Sequence, residues 1–251
     1  MIKGESGSFL SKRLHMLADM VTPGNRLVDV GCDHGFLPVC LVREGICPGA
    51  IAMDVREGPL GAAKRHVEES GLGDYIEVRL SDGLAEFRSG EADTMVCAGL
   101  GGRLMERSLR DDLDKAKQLR ELILQPQSEL PQFRMFLRNT GFIVTEEDTV
   151  LEDGKYYFAM KAYYRRDNDT SLADTGEPPE KTRLYDCFGR LLLGRRHPVL
   201  FQYLRQREYY ISELVTSLEA AATERGRLRT EQVREELATI REALSFFERE
   251  G

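Results

Sequence analysis

Acidic residues and glycines alternate in a short segment near the N-terminus, directly after an apolar run. Asp29, Gly31, Asp33 and Gly35 occupy every second position of this segment. Glycine allows the backbone to take a positive φ and to approach a ligand closely. A loop that binds a pyrophosphate usually has the pattern G-x-G-x-x-G, whereas two carboxylates would repel phosphate and attract a cation. The segment therefore predicts a ligand with a cationic centre rather than a dinucleotide.

Two further acidic residues follow the next apolar runs. Asp54 lies at the end of the second run, where a carboxylate can accept hydrogen bonds from both ribose hydroxyls of an adenosine. Asp82, within Ser81-Asp82-Gly83, follows the third run and could accept a hydrogen bond from an adenine amino group. One such acid often only caps the next helix. Acids after three successive runs favour S-adenosylmethionine, which combines an adenosine with a sulfonium and an ammonium group.

Three glycines follow the fourth apolar run, at Gly99, Gly101 and Gly102, and are expected to clear space facing the methyl donor. The chain lacks the [DN]-P-P-[YFW] motif with which methylases polarise an exocyclic amine. Cys97 has no neighbouring proline, so it is predicted to be a small buried side chain and not a nucleophile. The methyl acceptor is then expected to be an atom with its own lone pair, such as a ring nitrogen, whose methylation depends on in-line positioning.

The elements that must position these residues alternate between two periodicities. Apolar, β-branched runs predict strands at 26–31, 49–55, 75–80, 92–99, 121–127, 142–150 and 156–164. Helical spacing predicts helices at 9–20, 36–44, 59–70, 103–114 and 130–140. Such alternation is typical of an α/β fold with a mostly parallel sheet. Asp153-Gly154 between the last two runs indicates a hairpin, so the sheet should close with an antiparallel pair.

Three domain-level regions are predicted: a nucleoside-binding domain at 1–165, a polar linker at 166–180 and a helical domain at 181–251. After the linker, leucines and isoleucines recur at the spacing of one helix face in two runs, 200–218 and 233–247. Arg225-Gly226-Arg227 is expected to interrupt the helix between them. Two antiparallel helices on a coiled-coil seam fit this pattern. They either form a protruding hairpin, which the charged outer faces favour, or pack on the first domain.

Composition excludes several classes of protein. The 251-residue chain has a net charge of -7, no apolar run long enough for a membrane span and no signal-peptide core. Its five cysteines never form C-x-x-C, which predicts free thiols in the cytoplasm and no metal site. Residues 181–211 nevertheless carry seven basic side chains against two acidic ones. Such a basic stripe can hold a polyanion, although it could also be an ordinary solvated helix face.

Several motifs taken together resemble the bacterial tRNA adenine-22 N1-methyltransferases over roughly residues 8–164. They are Ser-Lys-Arg-Leu at 11–14, the loop from Val28 to Pro38, Ala-Met-Asp at 52–54, Ser-Asp-Gly at 81–83, Ala-Gly-Leu-Gly-Gly at 98–102 and Leu-Gln-Pro-Gln at 124–127. The resemblance implies a Rossmann-like class I methyltransferase domain with a seven-stranded, mostly parallel sheet and an antiparallel last strand. It further implies a C-terminal helical coiled-coil domain, tRNA as substrate and N1 of an adenine in the D-arm region as methyl acceptor. Leu100 departs from the expected pattern, in which Met is as frequent.

The resemblance also implies roles for individual residues. The cofactor is expected to contact Arg13, Asp29, Gly31, Asp33, Gly35, Asp54, Ser81, Asp82, Gly83 and Gly99. Asp29 and His34 are the catalytic candidates: Asp29 could orient the adenine through its amino group or only tie down the glycine loop, and His34 could stack on the base or bind its phosphate. The tRNA is expected to contact Gly101, Gly102, Arg103, Gln127, Arg195 and Arg196, with Arg107 and Arg110 extending the basic surface.

Two alternatives remain open from the sequence. The chain could be a methyltransferase for a small molecule or a protein, with the helical tail as a dimerisation module, although a monomer is expected. It could also be an RNA-binding protein that has lost catalysis. A fold by itself does not decide between such functions.

Overall fold

The computed structural model describes residues 10–166, 179–221 and 224–248. The chain divides into two compact units, Met1–Ala173 and Asp174–Gly251. Of the predicted linker, residues 167–178 lie outside the described ranges, as does Phe9 of the predicted N-terminal helix. None of the described helices is both long and apolar enough to cross a membrane.

The first unit alternates strands and helices as the apolar runs predict. Its strands are β1 (Leu27–Val30), β2 (Ala50–Asp54), β3 (Ile76–Leu80), β4 (Thr94–Ala98), β5 (Glu121–Gln125), β6 (Phe142–Glu152) and β7 (Lys155–Tyr164). Its helices are α1 (Lys12–Met20), α2 (Phe36–Arg43), α3 (Glu57–Glu69), α4 (Gly102–Asp111), α5 (Leu113–Gln118) and α6 (Leu130–Asn139). The prediction of a single helix at 103–114 is therefore wrong. The segment forms two helices that are separated at Asp112, whose backbone leaves helical geometry (φ -126°, ψ 39°).

The seven strands form one sheet in the order β3-β2-β1-β4-β5-β7-β6. The first five strands pair in parallel, while β7 is antiparallel to both β5 and β6. The predicted hairpin is confirmed: Asp153 and Gly154, with φ of 48° and 75°, form the two-residue turn in which both positions need positive φ. In chain order β7 is the last strand, but it inserts between β5 and β6.

Helices cover both faces of this sheet and build two apolar clusters. Strands β1, β2 and β5 are buried along their whole length, which explains why their sequences are almost continuously apolar. Neighbouring residues of β1 point to opposite clusters, with Leu27 in one and Val28 in the other. A sheet with both faces covered leaves the carboxyl ends of its parallel strands as the place where a ligand can enter.

The second unit is entirely helical in its described part. It contains α7 (Pro179–Phe188), α8 (Arg190–Gly194), α9 (Pro198–Ala221) and α10 (Glu224–Glu248). Ion pairs Arg207–Glu236, Arg234–Glu219 and Arg241–Glu208 connect α9 and α10 in opposite chain directions, so the two long helices are antiparallel as predicted. The break expected at Arg225-Gly226-Arg227 is wrong, because these residues lie inside α10.

Apolar side chains hold the second unit together. Leu200, Leu204 and Ile211 of α9 and Val233 and Ile240 of α10 are buried, as the helical spacing predicts. The short helices, which sequence periodicity did not reveal, add the buried side chains of Leu184, Phe188, Leu192 and Leu193. These helices pack against α10, so the unit is more than a bare hairpin.

Candidate functional site: an acidic cavity at the strand ends

A cavity of about 800 Å³ lies at the carboxyl ends of β1 to β4. Its wall contains most of the residues that were predicted to contact a cofactor: Arg13, Asp29, Gly31, Asp33, Asp54, Ser81, Asp82, Gly83 and Gly99. His34 and Gln127 line it as well. The parallel strands bring these side chains together because their carboxyl ends meet at one edge of the sheet.

The loop after β1 turns sharply. Gly31 and Asp33 both have positive φ, 78° and 51°, and the backbone N–H groups of Gly31 and Cys32 both donate to the carbonyl of Met53, at 2.8 and 2.9 Å. A non-glycine residue in the left-handed region is uncommon and is tolerated best by Asn and Asp. The loop is thereby held against the end of β2, and the cavity opens beside it.

The carboxylate of Asp29 is buried without a hydrogen-bond donor. The residue is only 5% exposed, it lies on the cavity wall, and within the described part of the chain no group donates a hydrogen bond to it. Burial raises the pKa of Asp29, the nearby Asp54 raises it as well, and Arg13 opposes both, which together give a pKa of about 7. A carboxylate left in this state is unusual in a core and favours a cationic ligand in the cavity.

Asp54, in contrast, is held by three donors. Its Oδ1 accepts from the backbone N–H of Arg56 at 2.9 Å and from Arg56 Nε at 3.4 Å, while its Oδ2 accepts from the backbone N–H of Asp33 at 3.3 Å. Asp54 therefore fastens the glycine loop, a role that was one of the two alternatives for Asp29. Arg56 also approaches Asp33 at 4.0 Å. Arg56 was not among the predicted site residues, although its place two residues after a strand-end acid is visible in the sequence.

The turn after β3 lines the cavity and also contacts helix α4. The hydroxyl of Ser81 donates to the carbonyl of Gly83 at 3.0 Å and accepts from the N–H of Glu86 at 3.1 Å. Gly83 has a φ of 61°, and a Cβ there would lie 2.3 Å from Ser108 Oγ. Asp82 remains exposed at the cavity and lies 3.7 Å from Arg107. Of these three residues, only Asp82 keeps its side chain available for a ligand.

Arg13 enters the cavity from α1. The helix begins after Ser11, whose side chain accepts a hydrogen bond from the N–H of Leu14 at 3.4 Å. Arg13 Nη1 donates to Gln125 Oε1 at 3.1 Å, and its guanidinium lies 5.5 Å from the centre of the Tyr157 ring. Gln125 is fully buried at the end of β5 and was not predicted, since only Gln127 of that motif was assigned to the site.

Gly99 is the one glycine of the β4 segment that lines the cavity. A Cβ there would lie 3.7 Å from Arg13 Nη1 and 3.9 Å from Gln127 Nε2, and its φ of 79° favours glycine. Gly101 and Gly102 do not line the cavity. A Cβ at Gly102 would meet the carbonyl oxygen of Ser128 at 2.4 Å, so these two glycines allow α4 to begin close to the loop after β5.

Four other candidates also lie outside the cavity wall. Gly35 begins α2, and a Cβ there would be 3.2 Å from that of Ala63, so it allows α2 and α3 to pack closely. Arg103 points away and pairs with Glu129 at 2.9 Å. Arg195 and Arg196 are exposed residues of the second unit. The contribution of these four residues to ligand binding stays a prediction.

Two aromatic side chains form one rim of the cavity. His34 and Phe36 both line it, with ring centroids 5.7 Å apart, and His34 Nε2 lies 3.8 Å from Asp33 Oδ1. Phe36 is exposed although it is a large apolar residue. It was not predicted as a site residue, because its position indicated only the start of a helix. Exposed rings of this kind offer a stacking surface for a base.

The cysteines near the cavity are not nucleophiles. Burial raises the pKa of Cys97 far above its usual range, and the nearby Asp29 adds to this effect. The pKa of Cys32 rises for the same reasons. A thiol that stays protonated is unreactive, which supports the interpretation of Cys97 as a small buried side chain. Among the residues that the structure describes, no three His, Cys, Asp or Glu side chains form a potential metal site.

Comparison with known proteins agrees with this geometry. Residues 10–160 match the family model described as a methyltransferase domain. The tRNA (adenine(22)-N(1))-methyltransferase of Bacillus subtilis is 39% identical over 153 residues, which cover 61% of this chain and 64% of that protein. The crystal structure of the B. subtilis m1A22 tRNA methyltransferase TrmK superposes with a TM-score of 0.81 at 30% identity, over 95% of this chain and all of that one. The chain belongs to the TrmK family.

A further relative of this family has been solved with a ligand. Streptococcus pneumoniae Sp1610, a putative tRNA (m1A22) methyltransferase, is 32% identical and was crystallised in complex with S-adenosyl-L-methionine. It superposes with a TM-score of 0.77 over 94% of this chain and 100% of that one. Membership of the family accounts for the strand order, which places the acidic cavity at the ends of the central strands.

Proposed function

We propose that this member of the TrmK family transfers a methyl group from S-adenosylmethionine to N1 of adenine 22 in tRNA. The observation that carries the proposal is the buried carboxylate of Asp29, to which no described residue donates a hydrogen bond, in a cavity that also contains Asp33, Asp54 and Asp82. These four carboxylates outnumber the three guanidinium groups that also line the cavity. A carboxylate attracts a sulfonium or an ammonium group and repels a phosphate. The names of the relatives support tRNA as the substrate and N1 of an adenine as the acceptor.

The residues of the cavity fit this cofactor. Asp29 would hold a cationic group, because a buried carboxylate without donors gains most from a new charged partner. The guanidinium of Arg13 would hold a carboxylate, and Asp54 has lone pairs left for ribose hydroxyls. Asp82 would accept from an amino group at the open side of the cavity. When bound, the cofactor supplies an electrophilic methyl group.

The chain itself has to present the adenine with its N1 lone pair in line with that methyl group. N1 of adenine carries no proton at neutral pH, so no general base is needed, and positioning supplies most of the rate enhancement. Gly99 leaves room beside Arg13 and Gln127 for a planar base. His34 and Phe36 offer a stacking surface, and Gln127 offers an amide for the base edge. The positive charge that the base gains by methylation is stabilised by the surrounding carboxylates.

N1 is occupied when adenine is paired, so the base must leave its stack at a cost of a few kcal/mol. Contacts with the tRNA backbone elsewhere would offset this cost. Three arginines of the predicted basic stripe are already paired within the second unit: Arg183 with Glu235, Arg205 with Glu208 and Arg207 with Glu236. Arg195 and Arg196, which the sequence analysis assigned to phosphate contacts, are exposed between α8 and α9.

Substitution of these two arginines tests that assignment. The double variant Arg195→Gln/Arg196→Gln is expected to weaken tRNA binding by about tenfold at physiological salt, because each lost phosphate contact reduces counterion release. Cofactor binding should not change. The double variant Arg227→Gln/Arg229→Gln removes the same charge from exposed positions of α10 and serves as the control. Equal tRNA affinity of the two double variants would refute a specific role for Arg195 and Arg196.

The activity itself is tested with unmodified tRNA and isotopically labelled S-adenosylmethionine, followed by nucleoside analysis. We expect the label in 1-methyladenosine at a single position. Label in N6-methyladenosine would contradict the proposed acceptor atom, and transfer only to protein or small molecules would favour the alternative in which the tail serves dimerisation. Sedimentation analysis of the same preparation tests the monomer that we propose. The cytoplasm is the proposed location, because all five cysteines are free thiols.

A further inference from the structure

A second cavity, of about 770 Å³, lies between α4 and α6 in the first unit. One wall contains Arg103, Arg107 and Arg110 of α4, and the other contains Met135, Phe136 and Asn139 of α6. We call this cavity the α4/α6 groove. Its lining includes one carboxylate, that of Glu106, against three guanidinium groups. Basic side chains are therefore concentrated along this cavity, on a protein whose net charge is -7.

The three arginines share one helix face because they are spaced by four and three residues. Their side chains are 88%, 59% and 59% exposed, respectively. Each has one carboxylate nearby: Glu129 at 2.9 Å from Arg103, Asp82 at 3.7 Å from Arg107 and Glu106 at 2.6 Å from Arg110. Exposed ion pairs contribute little free energy. Phosphate groups can therefore replace these carboxylates at small cost, and bind arginine through two parallel hydrogen bonds.

The floor of the groove is apolar. The guanidinium of Arg110 stacks over Phe136, with 5.0 Å between its Cζ and the ring centroid, which fixes the planar group at the groove surface. Met135 is 44% exposed beside it, although a methionine in a helix is usually buried. The amides of Gln132 and Asn139 also line the groove. Apolar surface next to arginines and amides suits an unstacked base attached to a sugar-phosphate backbone.

The α4/α6 groove adjoins the acidic cavity. Arg107 lines both, and its contact with Asp82 lies at the boundary between them. One molecule can therefore occupy the groove with one part and place its reacting atom in the acidic cavity with another. We propose that the groove binds the nucleotides next to the target adenine, with Arg103 and Arg110 on the phosphates and one unstacked base against Met135. This inference rests on the proposed function, since it requires an RNA substrate.

The test compares two double variants with equal loss of charge. Arg103→Gln/Arg110→Gln removes two groove arginines, whereas Arg26→Gln/Arg120→Gln removes two exposed arginines at the opposite edge of the sheet, next to the starts of β1 and β5. The groove variant is expected to bind tRNA about tenfold more weakly and to lose roughly one to two units from the slope of log affinity against log salt. The edge variant should stay within about twofold of the wild type in tRNA binding. Calorimetry should show unchanged cofactor binding for both.

A second pair of variants tests the groove without removing an arginine. Met135→Glu places a negative charge at an exposed helical position, and Met135→Gln is its neutral control. We expect tRNA binding to fall about tenfold in the first and to change little in the second. Thermal unfolding by circular dichroism checks that each variant is folded.

The outcomes distinguish a failure of the groove assignment from a failure of the proposed function. Equal tRNA affinity of the groove and edge double variants, or of Met135→Glu and Met135→Gln, would overturn the assignment of the groove while leaving tRNA methylation intact. If wild-type protein transfers no methyl group to tRNA and binds none, the proposed function fails, and the groove assignment fails with it.

Discussion

Replacement of Asp29 by Asn is expected to weaken binding of S-adenosylmethionine by about 30-fold or more. Removal of one partner from a buried charge pair costs roughly 2–5 kcal/mol, and 2 kcal/mol corresponds to about 30-fold in affinity. The side chain lies on the cavity wall, and no described group donates to it, so a cationic ligand would be its main charged partner apart from Arg13. Asn preserves the shape but not the charge. Isothermal titration calorimetry measures the change.

The same substitution should abolish a pH dependence of cofactor binding. Burial, with a further contribution from Asp54, raises the pKa of Asp29 to about 7 despite the opposing charge of Arg13. Below about pH 7 the wild-type carboxyl is protonated, and a cation can bind only after the proton leaves. The dissociation constant should then rise by up to tenfold for each unit of pH below about 7. In Asp29→Asn it should be constant from about pH 6 to 8.

A control variant separates the effect of Asp29 from that of the histidine on the cavity rim. His34 also lines the cavity and lies beside Asp33. His34→Gln should keep the slope of affinity against pH, because it leaves Asp29, Asp54 and Arg13 in place. If the wild-type affinity does not change between about pH 6 and 8, or if Asp29→Asn retains the slope, Asp29 does not hold the cationic group.

The pH dependence of the stability of the ligand-free protein is an independent test of the raised pKa of Asp29. Its pKa is about 7 in the folded protein, because of burial, against an ordinary 3.8. The folded state therefore keeps a proton that the unfolded chain has released. This stabilising contribution is complete below about 3.8 and is lost as the pH rises through about 7. At pH values above about 7, Asp29→Asn should raise the melting temperature of the ligand-free protein although it weakens cofactor binding.

Replacement of Glu121 by Ala is expected to lower the free energy of unfolding by about 3–5 kcal/mol. Its carboxylate accepts from Thr22 N–H at 2.9 Å, Thr22 Oγ1 at 2.6 Å and Thr94 Oγ1 at 2.7 Å, and pairs with Lys161 Nζ at 2.9 Å. The substitution removes the acceptor of the buried Thr94 hydroxyl and the carboxylate that ties Thr22 and Lys161 to β5. Since the chain has no tryptophan, urea unfolding should be followed by circular dichroism.

The effect of Glu121 should depend on pH in the direction opposite to that of Asp29. Burial raises the pKa of Glu121, but hydrogen bonds from Lys161, Thr22 and Thr94 outweigh it, so the pKa is lowered. The stabilising contribution is then present above the ordinary value of 4.5 and is lost as the pH falls through the lowered pKa. Glu77→Ala, at an exposed carboxylate paired with Arg79, is the control and should change stability by less than about 1 kcal/mol. Equal losses in both variants would contradict the role of the buried network.

The sequence by itself determined the strands of the sheet and the position of the cavity. Apolar runs with helical segments between them predicted the seven strands and the parallel sheet, because strand and helix periodicities are local properties of the chain. The Asp-Gly turn predicted the hairpin for the same reason. Since the carboxyl ends of parallel strands meet at one edge of a sheet, the positions of the acids near the ends of β1, β2 and β3 were enough to assign them to one site.

Only the tertiary structure decided what each residue does there. Asp29 and Glu121 are both single acids in buried strands, yet one faces a cavity without donors and the other receives hydrogen bonds from residues distant in sequence. Gly99 lines the cavity, whereas Gly102, three positions later, accommodates the loop at Ser128. The insertion of β7 between β5 and β6 and the continuity of the α4/α6 groove with the cavity also depend on contacts between distant segments. Such contacts leave no periodic signal in the sequence, because they arise from packing in three dimensions.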